Sequence, residues 1–434
     1  MQRLLLNDLI AWKSSRNRKP LLLYGARQTG KSWLLSEFGR SNYEKTAAVD
    51  LTESERMRQL FAQDYDTDRI IAGIKTETGV DITPGDTLVI IDEIQESPRA
   101  ITALKYLYEK AGNYHIAAAG SLMGLALHEG SAFPVGKVDT LTLHPLSFLE
   151  FLTACGAEML ATQIAMLDFT NLEPVFAEKL ASLLREYLYV GGMPEVVADF
   201  AKHRDCAEAR RLQRGILNTY DQDFSKHAPL RILERIRLAW ASIPAQLAKE
   251  NRKFVYGYVR EGARGRDFEE SIQWLVDYGV ADKVCRVSAI KQPLAGYEEL
   301  EHFKLFTLDV GLTSALANLD AKVILEGSSI FTEFKGALTE QYVQQQLRAV
   351  GLRQFYWSPD SRAEVDLVTQ IDAQVLPIEV KATENLRSKS LKVATEKYKL
   401  PKAMRTSLSA YREQDWLINI PLWAIGALPD IAAL

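Results

Sequence analysis

A chain of 434 residues, 47% hydrophobic and 25% charged, holds enough apolar material for several cores, and its composition excludes disordered, collagen-like and fibrous classes. Three cysteines (Cys155, Cys206 and Cys285) stand far apart, without the paired spacing of a zinc site or a disulfide framework. The net charge is −4, residues 116–127 are too short and too interrupted to cross a bilayer, and the N-terminal residues lack a secretory pattern; the expectation is a cytoplasmic protein with no membrane partner.

The first element is a short apolar run, Leu21-Leu22-Leu23, read as a strand. It leads into Gly25, Ala26, Arg27, Gln28, Thr29, Gly30, Lys31 and Ser32, a full G-x-x-x-x-G-K-[ST] phosphate loop with a helical pattern behind it. The glycines let backbone N–H groups turn inward around a β-phosphate, and the helix starting near Lys31 points its positive end at the same group. Lys31 reaches the β- and γ-phosphates, and the Ser32 hydroxyl is placed to ligate Mg²⁺. ATP and Mg²⁺ are the expected cofactors.

A second apolar run, Leu88-Val89-Ile90-Ile91, reads as a strand buried on both faces and delivers Asp92 and Glu93 at its C-terminal end. Asp92 is expected to hold Mg²⁺, and Glu93 to polarise the attacking water as a general base. A third strand, 115–119, ends at Gly120-Ser121. Ser121 either senses the γ-phosphate or lytic water as a third catalytic residue, or caps the following helix.

Residues 145–228 read as helices joined by short loops, with Gly191-Gly192-Met193-Pro194 as a sharp turn of structural role. Leu233, Ile236, Trp240, Ile243 and Leu247 then share one helical face, as do Phe268, Ile272, Leu275 and Val276. The run 280–287 reads as a strand that returns as a hairpin. Helix, turn, helix and strand, with Arg260, Arg264 and Arg266 before the second helix, outline a winged-helix-like domain. Residues 202–266 hold 15 basic and 7 acidic residues, and 381–405 hold 8 and 2. Each run is either a DNA-facing patch or a solvated helical face. The exposed acids of the second helix (Asp267, Glu269, Glu270, Asp277) argue against insertion into a groove.

The motifs GARQTGKS, LVIIDEIQ, AAAGSLMG, SAFPVGKVDTLTLHPLSFLEF and YLYVGGMPEVV together resemble the bacterial and archaeal AAA-type ATPases whose C-terminal part is the DUF4143 domain. The resemblance implies an α/β fold in four parts. These are a P-loop AAA-type ATPase core at 1–150, a helical segment at 151–228, a winged-helix-like domain at 229–295 and a restriction-endonuclease-like α/β domain at 300–434. Many relatives place an arginine where this chain has Lys137, which lacks a guanidinium fork; Arg99 is a further basic candidate.

In the last part, Gly336, Glu340, Val343, Leu347 and Val350 share a helical face, which puts the Glu340 carboxylate within an apolar stripe. Glu364 and Asp366 fall on one face of a strand, Glu379 and Lys381 on one face of the next. The order Glu340, Asp366, Glu379-x-Lys381 resembles the PD-(D/E)xK nuclease signature. Asp366 and Glu379 would converge on a divalent ion, Glu340 would add a third carboxylate or a water contact, and Lys381 would position the water or meet the phosphate. The alternative is a nuclease-like fold in which these carboxylates pair with Lys381 and nearby arginines. The sequence therefore supports either an ATP-driven, DNA-acting machine with a nuclease half, or a nucleotide-switched interaction protein that docks a protein partner or another copy of itself.

Overall fold

The computed structural model describes residues 2–120, 133–170, 172–249, 252–325, 332–360, 363–382 and 388–433, which fall into two compact units. One comprises 2–144 with 277–279; the other comprises 145–276 and 280–434.

The first unit is built on five parallel strands: β1 (Leu21–Tyr24), β2 (Lys45–Asp50), β3 (Thr87–Asp92), β4 (His115–Gly120) and β5 (Asp139–Thr142), in the order β2-β3-β4-β1-β5. The central strands are apolar throughout because helices cover both faces. Leu22, Val89, Ile91 and Ala118 face one buried cluster; Leu21, Leu23, Leu88, Ile90, Ala117 and Ala119 face the other. The helix Lys31–Asn42 follows β1, and the ends of β1 and β3 open at the same edge of the sheet.

In the second unit, the helices from Phe148–Ala154 to Leu230–Leu247 and Gly265–Asp277 accompany an eight-stranded mixed sheet. Its strands are β6 (Ala281–Val287), β7 (Glu298–Thr307), β8 (Gln354–Asp360), β9 (Ala363–Ile371), β10 (Gln374–Val380), β11 (Ala403–Ser407), β12 (Arg412–Glu413) and β13 (Leu417–Pro421). Their order is β12-β13-β11-β10-β9-β8-β6-β7. The expected hairpin after the second amphipathic helix is present as β6 and β7. It does not close a separate wing, however: β6 also pairs in parallel with β8, so the hairpin extends the C-terminal sheet. A boundary between 295 and 300 thus runs through hydrogen-bonded neighbours.

The helix Thr332–Ala349 departs from its one-stripe reading, since residues 337–347 are buried on all sides. Its glutamines make this tolerable by bonding into neighbouring backbone. Gln341 donates to Thr307 O at 2.8 Å and accepts from Thr307 N, while Gln345 accepts from Val310 N and Gln346 from Phe148 N.

The Gly191-Gly192 turn meets Asp309, which is 0% exposed. Asp309 caps the helix Val310–Leu316 through Leu312 N (3.0 Å) and accepts from Gly192 N (2.6 Å) and Gln345 Nε2 (3.2 Å). Gly191 has φ +75, and a Cβ there would lie 2.1 Å from Asp309 Oδ1, so only glycine fits. Burial outweighs these donors and pushes the Asp309 carboxyl up to about 6.

Candidate ATP site and carboxylate cluster

The phosphate loop is shaped by alternating backbone hands. Gln28 (φ 66) and Gly30 (φ 91) are left-handed, and Gly25 has φ 157 with the Leu143 carbonyl 2.5 Å from where a Cβ would sit. Thr29, fully buried, closes the loop by donating from Oγ1 to Ala26 O at 2.8 Å. The helix Lys31–Asn42 has neither a side-chain cap nor an acidic residue in its first turn, which leaves its N-terminal amides to a ligand.

Lys31 is 6% exposed, and its Nζ donates to Gly25 O (2.9 Å) and Ala26 O (3.0 Å). Burial lowers its pKa to about 8; Glu93 and Asp92 oppose the shift and Arg27 adds to it. The structure thus brings both β3 acids to the lysine of the β1 loop. Asp92 Oδ1 accepts from Glu93 N at 2.9 Å. Glu93 is held left-handed (φ 50), with its carboxylate bonded by Gln95 Nε2. Ser32 is exposed at the first turn of the helix, and Arg27 and Gln28 are exposed on the loop. Ser121 lies outside the described residues.

Neither basic candidate for a finger is idle. Lys137 Nζ is 3.0 Å from Glu109 Oε1, and Arg99 donates to Phe61 O with its guanidinium over the Tyr65 ring. Sequence reasoning missed Arg3, 7% exposed, which donates to Thr29 O (3.0 Å) and His144 O (2.5 Å) and buttresses the loop from below. Nothing in the local pattern marks it, because its targets are 26 and 141 residues away.

In the second unit, Glu340 is 0% exposed and both its oxygens are taken by cations. Lys304 Nζ donates to Oε1 at 2.8 Å, and Arg252 NH1 to Oε2. Lys304, also 0% exposed, lies 2.7 Å from Glu364 Oε1, and Arg252 lies 3.6 Å from Asp366 Oδ1. Glu340, expected to give a third metal carboxylate or a water contact, is thus paired with two cations, the arrangement of the alternative reading as a polar network. Among the described residues no group of three or more His, Cys, Asp or Glu is arranged to hold a metal.

Asp366 Oδ2 accepts from Val380 N at 2.8 Å, so the side chain continues the β9–β10 ladder where the main-chain pairing stops. Glu379 pairs with Lys381 Nζ at 2.6 Å, as their shared face implies, and its other oxygen, Oε2, is buried without a partner. Lys304 had a sequence signal that went unread: a lysine inside the apolar run Phe303-Lys304-Leu305-Phe306 must find a carboxylate if buried.

Part of the first basic run is paired within the fold. Arg204 pairs with Glu186, Arg211 with Glu208, Arg231 with Glu270 and Arg237 with Asp221. Among the described residues no helix is long and apolar enough to cross a membrane.

A family match agrees with the geometry of the first unit. Residues 17–152 match the AAA domain family, 181–323 a domain of unknown function (DUF8612), and 335–425 a domain of unknown function (DUF4143). None of the curated proteins matches the chain. Among solved structures the chain is similar to a Walker-type ATPase of Pyrococcus abyssi (TM-score 0.44, 15% identity, 72% of this chain and 94% of that one). It is also similar to the Aeropyrum pernix ORC1 protein in complex with DNA (TM-score 0.30, 13% identity, 73% and 90%). A third is AMPPCP-bound DnaA from Aquifex aeolicus (TM-score 0.25, 13% identity, 62% and 74%). The phosphate loop, the acids at the end of β3 and the family match together make residues 17–152 a P-loop ATPase domain of the AAA class, carried in one chain with a DUF4143 domain.

Proposed function

We propose that this chain is a nucleotide switch: ATP bound and hydrolysed in the first unit controls a C-terminal unit that binds a partner without cutting it. In the first unit, loop amides and Lys31 hold the phosphates, and Glu93 orients water and takes its proton. Ser32 and Asp92 offer the hard oxygen donors that suit Mg²⁺, which neutralises phosphate charge when bound. The observation that carries the binding-only reading is Glu340, sealed between Lys304 and Arg252. A carboxylate whose two oxygens each meet a cation already has its charge balanced within the fold, which favours a packing role over metal binding.

The second reading, a metal-dependent nuclease with Asp366, Glu379 and Lys381 as its site, is favoured by one observation. Glu379 Oε2 is buried and unpartnered, and such an atom suits a cation. The two readings separate in one experiment. Purified protein is incubated with single- and double-stranded DNA and Mg²⁺ or Mn²⁺, with and without ATP, beside Glu379→Ala. ATP turnover with intact DNA in every lane supports the switch; cleavage that disappears in Glu379→Ala establishes the nuclease.

A further inference from the structure

From Glu379 a row of polar side chains crosses four strands of the large sheet. Glu379 on β10 is in register with Arg405 on β11, Arg405 with Asn419 on β13, and Asn419 with Arg412 on β12. Register partners share a face of the sheet. At the arginine end lies a cavity of about 370 Å³ whose wall includes Ser388, Lys389, Lys392, Arg405, Arg412 and Trp416. Among the described residues no carboxylate lines it.

Three features mark this cavity as built for an anion. Arg405 is only 3% exposed and is fixed by Nε donation to Asn419 Oδ1 at 2.9 Å. Burial works against its charge, Glu379 on the next strand supports it, and the neighbouring Arg412 opposes it. Like charges so placed are relieved by an anion between them. Next, Ser388 Oγ is buried with no hydrogen-bond partner, at the N-cap of the ten-residue helix Lys389–Tyr398. That helix has no side-chain cap and no acid in its first turn, so its positive end and open amides face the same place. Finally, the nearest ion pair of a wall lysine, Lys392 with Glu396 at 3.8 Å, is largely exposed and too weak to neutralise the site.

We propose that this cavity binds the phosphate backbone of a nucleic-acid strand. The cations come from a helix and from two separate strands, and Trp416 adds an aromatic surface. Backbone-tracking charge combined with a stacking platform is how single strands are held without sequence preference. The proposal rests on the C-terminal unit being the binding half, and names the ligand it takes.

The test uses the full chain and a fluorescent 12-mer of single-stranded DNA, read by anisotropy across a salt series, with inorganic phosphate and ATP as competitors. The variant is Lys389→Gln/Arg412→Gln, two exposed side chains whose removal leaves the core and basal ATP turnover intact. Affinity is expected to fall about tenfold or more, and the log–log salt slope to shrink by about 1.4, at roughly 0.7 per cation on a single strand. Equal affinity and slope in variant and wild type would overturn this site while leaving a binding C-terminal unit in place. Failure of the wild type to bind the strand, or competition by inorganic phosphate as effective as that by the strand, also overturns it. In those cases a protein partner of the same unit, tested by ATP-dependent pull-down, decides the switch reading separately.

Discussion

Lys304 and Glu340, neither of them exposed to solvent, meet at 2.8 Å inside the C-terminal unit although 36 residues separate them in the chain. Replacing one partner of such a pair leaves the other charge buried. Lys304→Met is expected to destabilise the second unit by about 3–5 kcal/mol, and Lys304→Met/Glu340→Gln by clearly less. Urea unfolding of both variants checks this; equal losses would mean that the pair is not the source.

Burial lowers the Lys31 pKa to about 8. Phosphates placed beside it raise its pKa, so ATP binding at pH 8 to 9 should take up a proton, and affinity should fall as pH rises through that range. Calorimetry in buffers of different ionisation enthalpy measures the uptake directly. Lys31→Ala should lose both tight binding and the proton signal.

Glu93 adjoins Asp92 but differs from it in task. Glu93→Gln is expected to bind ATP with near-normal affinity and to hydrolyse it 10²-fold to 10⁴-fold more slowly, the order of a lost general base. Single-turnover phosphate release is the measurement, and undiminished turnover moves the base to another residue.

Arg3 supports the loop through carbonyl contacts to Thr29 and His144. Arg3→Ala should weaken ATP binding about tenfold, since hydrogen bonds from a charged donor contribute roughly 1.5–3 kcal/mol each and water replaces part of that. Titration with a fluorescent ATP analogue reports it.

Asp309 gives a pH-dependent signature of stability. Its folded pKa of about 6 lies above the unfolded value, so the folded state holds the proton longer. The stabilisation from that proton is complete below about pH 4 and is lost as pH rises through 6, an amount on the order of 3 kcal/mol. Asp309→Asn should remove this slope between pH 4 and 6. It should also lower stability at pH 7 by about 1–3 kcal/mol, because an amide cannot accept from both Gly192 N and Leu312 N. Unfolding curves at pH 4, 5, 6 and 7 separate the two effects.

The ATP site was legible because its parts are local. A phosphate loop is eight consecutive residues, the strand that delivers Asp92 and Glu93 is a continuous apolar run, and parallel sheets open their ligand sites at strand ends. The alternation that put Glu379 beside Lys381 was equally local, and their 2.6 Å contact follows from it. Most of the two helical stripes is buried as the periodicity placed it (Ile236, Trp240, Ile243 and Leu247; Phe268, Ile272 and Leu275), while Leu233 and Val276 are only half-buried.

What the chain order could not supply is the partner of each buried charge. Glu340 read as a metal ligand through its place in the order Glu340, Asp366, Glu379-x-Lys381, while its cation partners Lys304 and Arg252 come from 36 and 88 residues away. The Gly191-Gly192 turn had no visible reason until Asp309 was seen against it, 117 residues on from Gly192. The hairpin of β6 and β7 read as a wing because local pattern gives the hairpin but not its third neighbour, β8. Short-range periodicity fixes which element forms and which way a side chain faces; what a buried polar group meets there is set by long-range packing, which gave the Glu340 carboxylate two cation partners from distant elements.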